Sequence, residues 1–159
     1  MSLPINSIIP ELLTKLNSCS AIVLQAEPGA GKSTAVPIAL LNADIAKGKK
    51  IIMLEPRRMA ARSIAHYLAQ QLGEKVGASI GYRIKNESKI GKETMLEIVT
   101  EGILTRMLQS DPELSDVGLV IFDEFHERSI HADTSLLLLK EVQAALRDDL
   151  KLLVMSATI

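Results

Sequence analysis

Nine residues, Ala26-Glu27-Pro28-Gly29-Ala30-Gly31-Lys32-Ser33-Thr34, combine two glycines, one ammonium and two hydroxyls in one short loop. Such a set can hold a phosphate chain. Gly29 and Gly31 let the backbone turn so that N–H groups converge on phosphate oxygens. Lys32 can reach the β- and γ-phosphates of a nucleoside triphosphate, and the Ser33 hydroxyl can ligate Mg²⁺. Pro28, Gly29, Ala30, Gly31, Lys32, Ser33 and Thr34 are therefore candidate contacts for ATP. Ala26 stands where the G-x-x-x-x-G-K-[ST] pattern usually has its first glycine. A Cβ there favours φ below zero, so the loop entry is expected to differ in shape. The plain alternative is a glycine-rich turn that only starts a helix. The apolar run Ala21-Ile22-Val23-Leu24 before the loop favours the cradle.

A phosphate cradle that hydrolyses its ligand needs a metal partner and a base. Val120-Ile121-Phe122-Asp123-Glu124 is an apolar run ending in two acids. Asp123 can hold Mg²⁺, directly or through water, and Glu124 can orient and polarise the attacking water. Taken alone, the pair reads equally as a solvated acidic turn. A cradle upstream makes the catalytic reading the stronger one.

These loops must be carried by strands and helices, and the chain alternates between the two. Helices are expected at Pro10–Ser18, Lys32–Ala46, Arg57–Leu72, Glu101–Gln109 and Asp133–Leu146. The third has Ala61, Ile64, Ala65, Leu68 and Leu72 at three- and four-residue spacing, with Gly73 closing it. Buried strands are expected at Ala21–Gln25, Ile51–Leu54, Gly77–Asn86, Met95–Val99, Gly118–Phe122 and Leu152–Met155, with turns at Lys47–Lys50 and Lys85–Lys92. Short apolar strands alternating with helices predict an α/β domain, a mostly parallel sheet with helices on both faces.

Composition bounds the partners. The 159 residues are 47% hydrophobic and 23% charged, which suits one globular domain. Aromatics are 3% and Trp is absent, so stacking platforms for bases are not expected. The net charge of −1 decides nothing about nucleic acid, because basic groups can cluster locally. One cysteine, Cys19, fits a reducing compartment, and no Cys/His cluster argues for zinc. The chain shows no signal-peptide pattern and no apolar run near the roughly 20 residues of a membrane span, so a cytoplasmic location is expected.

The residues after the acid pair, Asp123-Glu124-Phe125-His126-Glu127-Arg128, resemble motif II of the DEAH-type superfamily 2 helicases. Four more segments follow that family's order. Ala26–Thr34 resembles motif I, Leu54–Arg62 (LEPRRMAAR) motif Ia, Thr100–Leu104 (TEGIL) motif Ib, and Met155–Thr158 (MSAT) motif III. Within the family the chain resembles the bacterial HrpB-like branch, where DEFHER is followed by His-Ala-Asp, as at His131-Ala132-Asp133. The resemblance implies a three-layer RecA-like P-loop NTPase domain over residues 1–159, using ATP and Mg²⁺ and acting on RNA. It implies His126 as a coupling residue between the ATP site and motif III, and Ser156 and Thr158 as the link to the strand-binding face. Motifs IV to VI have no counterpart here, so a second RecA-like domain is expected to supply the arginine that completes catalysis.

Several residues keep two readings. Arg57 and Arg58, where a strand becomes a helix behind Pro56, can grip a nucleic-acid phosphate together with helix N-terminal amides, and Arg62 shares a face with Arg58. They read equally as a solvated patch paired to surface acids. Thr100 reads first as an N-cap, and the resemblance adds a contact to the nucleic-acid backbone. Ser156 and Thr158 read also as a plain strand-end turn. His66 is expected on the surface or packed, and His131 is undecided. Two other functions fit a cradle: a P-loop small-molecule kinase, and a nucleotide-gated binding module without turnover. A kinase would need an arginine-rich lid, which the sequence lacks.

Overall fold

A computed structural model describes residues 4–27, 30–127 and 129–157. A 3-10 turn at Pro4–Ser7 leads into α1 (Ile9–Ser18), β1 (Ala21–Gln25), α2 (Lys32–Asn42), β2 (Lys50–Leu54) and α3 (Arg58–Gln71). The chain continues through β3 (Ile80–Ile84), β4 (Glu87–Lys89), β5 (Leu96–Val99), α4 (Glu101–Ser110), β6 (Val117–Phe122), α5 (Ile130–Ala145) and β7 (Lys151–Ser156). The strands form one sheet in the order β1-β7-β6-β2-β5-β3-β4. All pairings are parallel except the β3–β4 hairpin.

The central strands β2, β6 and β7 are apolar on both faces because both faces are covered, whereas β1, expected to be a buried strand, lies at the sheet edge with Leu24 alone buried and Val23 57% exposed. Ile51 and Met53 of β2, with Leu119 and Ile121 of β6, pack under α1, α2 and α3 through Leu16, Val36, Leu40, Ala61, Ala65 and Leu68. The intervening Ile52, Leu54, Val120 and Phe122 pack under α4 and α5 through Ile103, Leu104, Ala132 and Leu139. Two-residue alternation within a strand thus feeds two separate cores, giving the expected three layers.

Three further expectations need correction. Helix α2 stops at Asn42 rather than Ala46, because Asp44 and Lys47 take φ values of 52° and 55° and turn the chain. The segment read as a strand from Gly77 is extended only from Ile80. The charged stretch read as a turn from Lys85 to Lys92 instead holds β4, which pairs with β3 from Ile84↔Glu87 to Tyr82↔Lys89. Lys85-Asn86 is the two-residue hairpin loop, with Asn86 at φ 67° supplying the left-handed turn without the glycine that usually signals one.

At Gly118 the β2–β6 register shifts, from Lys50↔Val117 to Ile51↔Leu119. A Cβ on Gly118 would meet the backbone oxygen of Ala46 at 2.3 Å, so the turn after α2 can approach β6 only because this residue has no side chain. In α4, by contrast, a Cβ on Gly102 would meet nothing within 4 Å. Gly118→Ala should therefore lose about 1–3 kcal/mol of stability through backbone displacement, whereas Gly102→Ala should be neutral or gain up to about 1 kcal/mol. Urea unfolding of the two variants beside the wild type checks this. Equal effects would remove the close approach as the reason for glycine at position 118.

Candidate functional site

Because β1, β2, β6 and β7 run parallel, their C-terminal ends share one rim, where the connecting loops meet. The cradle leaves β1 there. Ala26 N–H donates to Ser156 O at 3.1 Å, extending the β1–β7 pairing by one residue into the loop. Ala26 is not among the residues with positive φ. Gly31 is, with φ 97°, and it forms the N-cap of α2 with no side-chain cap, so the first helical amides stay available to a ligand. Lys32 is buried and donates from Nζ to Ala26 O at 2.8 Å, placing its ammonium across the mouth of the loop. Ala30 is buried beside it, and the Thr34 hydroxyl turns back to Gly31 O at 3.4 Å. Pro28, Gly29 and Thr158, three of the expected site residues, lie outside the described residues, as does Arg128.

Asp123 follows β6 on the same rim. Its N–H donates to Leu54 O at 2.9 Å, and the carboxylate is 3% exposed. Ser33 Oγ donates to Asp123 Oδ2 at 2.8 Å, joining cradle and acid across 90 positions of sequence. A hydroxyl and a carboxylate in contact are hard oxygen donors of the kind that suit Mg²⁺. Glu124 comes next with φ 53°, a left-handed conformation uncommon for a residue with a side chain and characteristic of constrained functional turns. Its N–H donates to Asp123 Oδ1 at 2.9 Å.

His126 stands between Glu124 and the end of β7. Its Nδ1 accepts from Ala157 N–H at 3.0 Å, and its Nε2 lies 3.1 Å from Glu124 Oε2. With Nδ1 accepting, the ring's N–H is at Nε2 and points at Glu124. Phe125 N–H donates to Met155 O at 3.0 Å, so the whole turn is fastened to β7. Ser156, the last residue of β7, is buried.

The arginines divide. Arg57 is the N-cap of α3, with extended φ and ψ of −102° and 123°, and Pro56 lies ahead of the helix rather than in its first turn. Its guanidinium meets Glu127 Oε1 at 2.5 Å and Glu124 Oε2 at 3.7 Å, so it touches the acidic turn directly. Arg62 Nε lies 3.3 Å from Glu87 Oε2. Arg58 is exposed. Thr100 occupies the N-cap position of α4, but its side chain makes no capping hydrogen bond, which corrects the N-cap reading of the hydroxyl. His66 is exposed, its ring 5.8 Å from that of Tyr82, and His131 is exposed on α5.

Sequence reasoning missed Glu55. Leu54 pairs with Phe122, so the next residues, Glu55 and Asp123, stand side by side where β2 and β6 end. Glu55 is 2% exposed and hydrogen-bonded to the Asp123 carboxyl, and Arg57 N–H approaches its Oε1 at 3.4 Å. Burial, followed by the hydrogen bond and the charge of Asp123, pushes its carboxyl up to about 8. Glu55 lies inside the Leu54–Arg62 segment that resembles motif Ia, but its residue type alone assigns it no role there; the strand register places it beside Asp123. A cavity of about 320 Å³ between α4 and the sheet, lined by Lys50, Arg83, Glu97 and Arg106, lies away from this rim. There the buried Glu97 is matched by Lys50 and Arg83, each at 2.9 Å.

Residues 6–159 match the DEAD/DEAH box helicase family. The chain is 58% identical over 158 residues to the ATP-dependent RNA helicase HrpB of Escherichia coli, covering 99% of this chain and 19% of that protein. It is 38% identical over 157 residues to the ATP-dependent RNA helicase HrpA of Borreliella burgdorferi, again over 99% of this chain and 19% of the relative. The crystal structure of the E. coli DExH-box NTPase HrpB superposes with a TM-score of 0.95 at 57% identity, over 100% of this chain and 20% of that one. The chain thus spans about a fifth of the length of the curated relatives it matches.

The raised Glu55 carboxyl makes stability depend on pH. An ordinary glutamate in the unfolded chain releases its proton near 4.5, while the folded chain holds it to about 8. The folded state therefore binds more protons between those values, and stability present below the lower one is lost as pH rises towards the upper. Urea unfolding at about pH 5 and about pH 8 should show a decline for the wild type that Glu55→Gln flattens. A variant that declines as steeply as the wild type would assign the slope to other groups.

Proposed function

The chain belongs to the DEAD/DEAH box helicase family, and from that premise we propose that residues 1–159 form its first RecA-like domain, binding ATP and coupling hydrolysis to movement on RNA. The contact between Ser33 and Asp123 carries this reading, because it joins a phosphate cradle to a metal-binding acid in one site. Gly31 and the amides opening α2 receive phosphate oxygens. Lys32 exchanges Ala26 O for the β- and γ-phosphates. Ser33 and Asp123 would hold Mg²⁺, which would neutralise charge on the phosphates. Glu124 orients the attacking water, and His126 fixes the Glu124 carboxylate while reporting its position to residue 157.

Arg57, Arg58, Arg62 and Thr100 would contact the RNA backbone, leaving sequence unread. The ion pairs of Arg57 with Glu124 and Glu127 then acquire a use. A phosphate that takes the Arg57 guanidinium withdraws it from the acidic turn and frees Glu124. Ser156 and Thr158 would relay the same event through β7. A second RecA-like domain would close over the rim and provide an arginine worth about 10³–10⁵ in rate. A cytoplasmic location accords with a nucleotide-dependent activity on RNA, and no helix among the described residues is long and apolar enough to cross a membrane.

Two measurements test this reading. In the full-length protein, Asp123→Ala should weaken Mg²⁺-dependent nucleotide binding on the order of tenfold or more, while Glu124→Gln should bind normally and fail to hydrolyse. Equal loss of binding in both would overturn the division of roles. On the nucleic-acid side, Arg57→Ala with Arg58→Ala should lower affinity for all RNA sequences alike. The same double variant should reduce the salt slope by about one for each RNA phosphate it no longer neutralises. An unchanged slope in a folded variant would leave the patch as solvated surface.

A further inference from the structure

We propose that the cavity of about 320 Å³ beside α4 binds a small organic anion, with its carboxylate or phosphate on Lys50 and Arg83 and its apolar body along α4. The volume suits a small-molecule site. Its floor is Glu97, the charged residue of the otherwise apolar β5. Glu97 pairs with Ile52, which packs under α4, so the register turns both side chains to that face. The Glu97 side chain is 2% exposed, and its two oxygens are taken by Lys50 Nζ and Arg83 Nε, each at 2.9 Å. One negative charge therefore anchors two positive ones. Among the described residues neither cationic head has a further hydrogen bond or ion pair, and the two side chains stay 35% and 30% exposed. Lys50 keeps two N–H donors and Arg83 four for a ligand.

Stability alone does not account for the triad, because apolar residues of similar volume often serve a buried position as well as an ion pair does. What Glu97 supplies is placement: it fixes two cationic heads at the bottom of an accessible cavity, so a ligand need not order them. The walls agree. Arg106, exposed and without an ion pair among the described residues, adds a third positive charge. Two further acids line the cavity. Asp111 accepts Ser115 N–H at 2.7 Å on one oxygen and Ser115 Oγ–H at 3.1 Å on the other, so it is occupied in its own turn. Asp116 is exposed. Ile103, Met107 and Leu114 supply the apolar wall. A cation would meet Lys50 and Arg83, and a neutral apolar guest would leave their donors unmatched. An anion on a short apolar body satisfies both surfaces. The cavity lies away from the rim that holds Ser33 and Asp123, so its ligand and a nucleotide would not compete.

The test titrates the 159-residue chain with benzoate, phenyl phosphate and the uncharged benzyl alcohol, following backbone amide resonances. Benzoate or phenyl phosphate should shift the amides of Glu97, Met107 and Leu114 saturably, with Kd on the order of 1 mM for probes of this size. The tighter of the two names the acid group of the ligand. Benzyl alcohol should bind about tenfold more weakly, lacking the charge-assisted hydrogen bonds. Two variants locate the site. Arg83→Gln keeps an N–H for Glu97 but removes a charge, and should lower the affinity for the anion to that for the alcohol. Ser110→Trp, at an exposed position on the cavity wall, should fill the space and abolish binding. If Arg83→Gln does not fold, Ser110→Trp decides. The proposal is overturned if neither anion shifts these amides at about ten times the expected Kd, or if benzyl alcohol binds as tightly as both anions. It is equally overturned if the shifts are confined to Gly31, Lys32 and Ser33, or persist undiminished in Ser110→Trp.

Discussion

The hydrogen bond from Ser33 to Asp123 is the constraint on which the site depends. Its two ends, Ser33 in the first turn of α2 and Asp123 just past β6, lie 90 positions apart in sequence, and the order of strands brings them together. β1 and β6 are separated by β7, so the cradle leaves one strand and the acid leaves another two positions away. Parallel pairing of β1 with β7 and of β7 with β6 puts both exits on one rim and fixes their register. Much of the apolar core therefore serves to keep one hydroxyl beside one carboxylate.

Around that contact the site is assembled from backbone as much as from side chains. Asp123 is fixed by its N–H to Leu54 O and by Glu124 N–H on its own oxygen. Glu124 is held at positive φ, and the turn is fastened to β7 through Phe125 and His126. A motion of β7 or of the α3 N-terminus thus reaches the carboxylates directly. His126, whose Nδ1 accepts from Ala157 N–H just past β7, and Arg57, the N-cap of α3, approach the same Glu124 oxygen at 3.1 and 3.7 Å. Glu124 is thus placed where both segments meet one carboxylate.

The elements were legible where residue type alone determines them. Apolar runs such as Ile51–Leu54 and Val120–Phe122 can be satisfied only inside a covered sheet, and the glycine-bearing loop ahead of Lys32 does open a helix, with Gly31 at positive φ as its N-cap. Tertiary pairing was not legible. Glu55 precedes a proline and looks like an ordinary surface acid, yet the Leu54↔Phe122 register buries it against Asp123. Arg57 gave two readings, and the structure shows one of them, its ion pairs, while leaving it exposed to a phosphate. Thr100 has the right residue type for a cap, but its hydroxyl makes no capping bond. β4 was hidden because Lys85-Asn86 turns the chain with a left-handed Asn rather than a glycine.

The central claim, that cradle and acid form one metal–nucleotide site, is tested most directly by a crystal structure of this chain grown with ADP and Mg²⁺. The expected result has the ADP phosphates against Gly31 and the amides opening α2, with Lys32 Nζ moved from Ala26 O to a phosphate oxygen. Mg²⁺ would sit at Ser33 Oγ with Asp123 facing it. Nucleotide bound elsewhere, or bound with Lys32 still on Ala26 O and no metal between Ser33 and Asp123, would contradict the account.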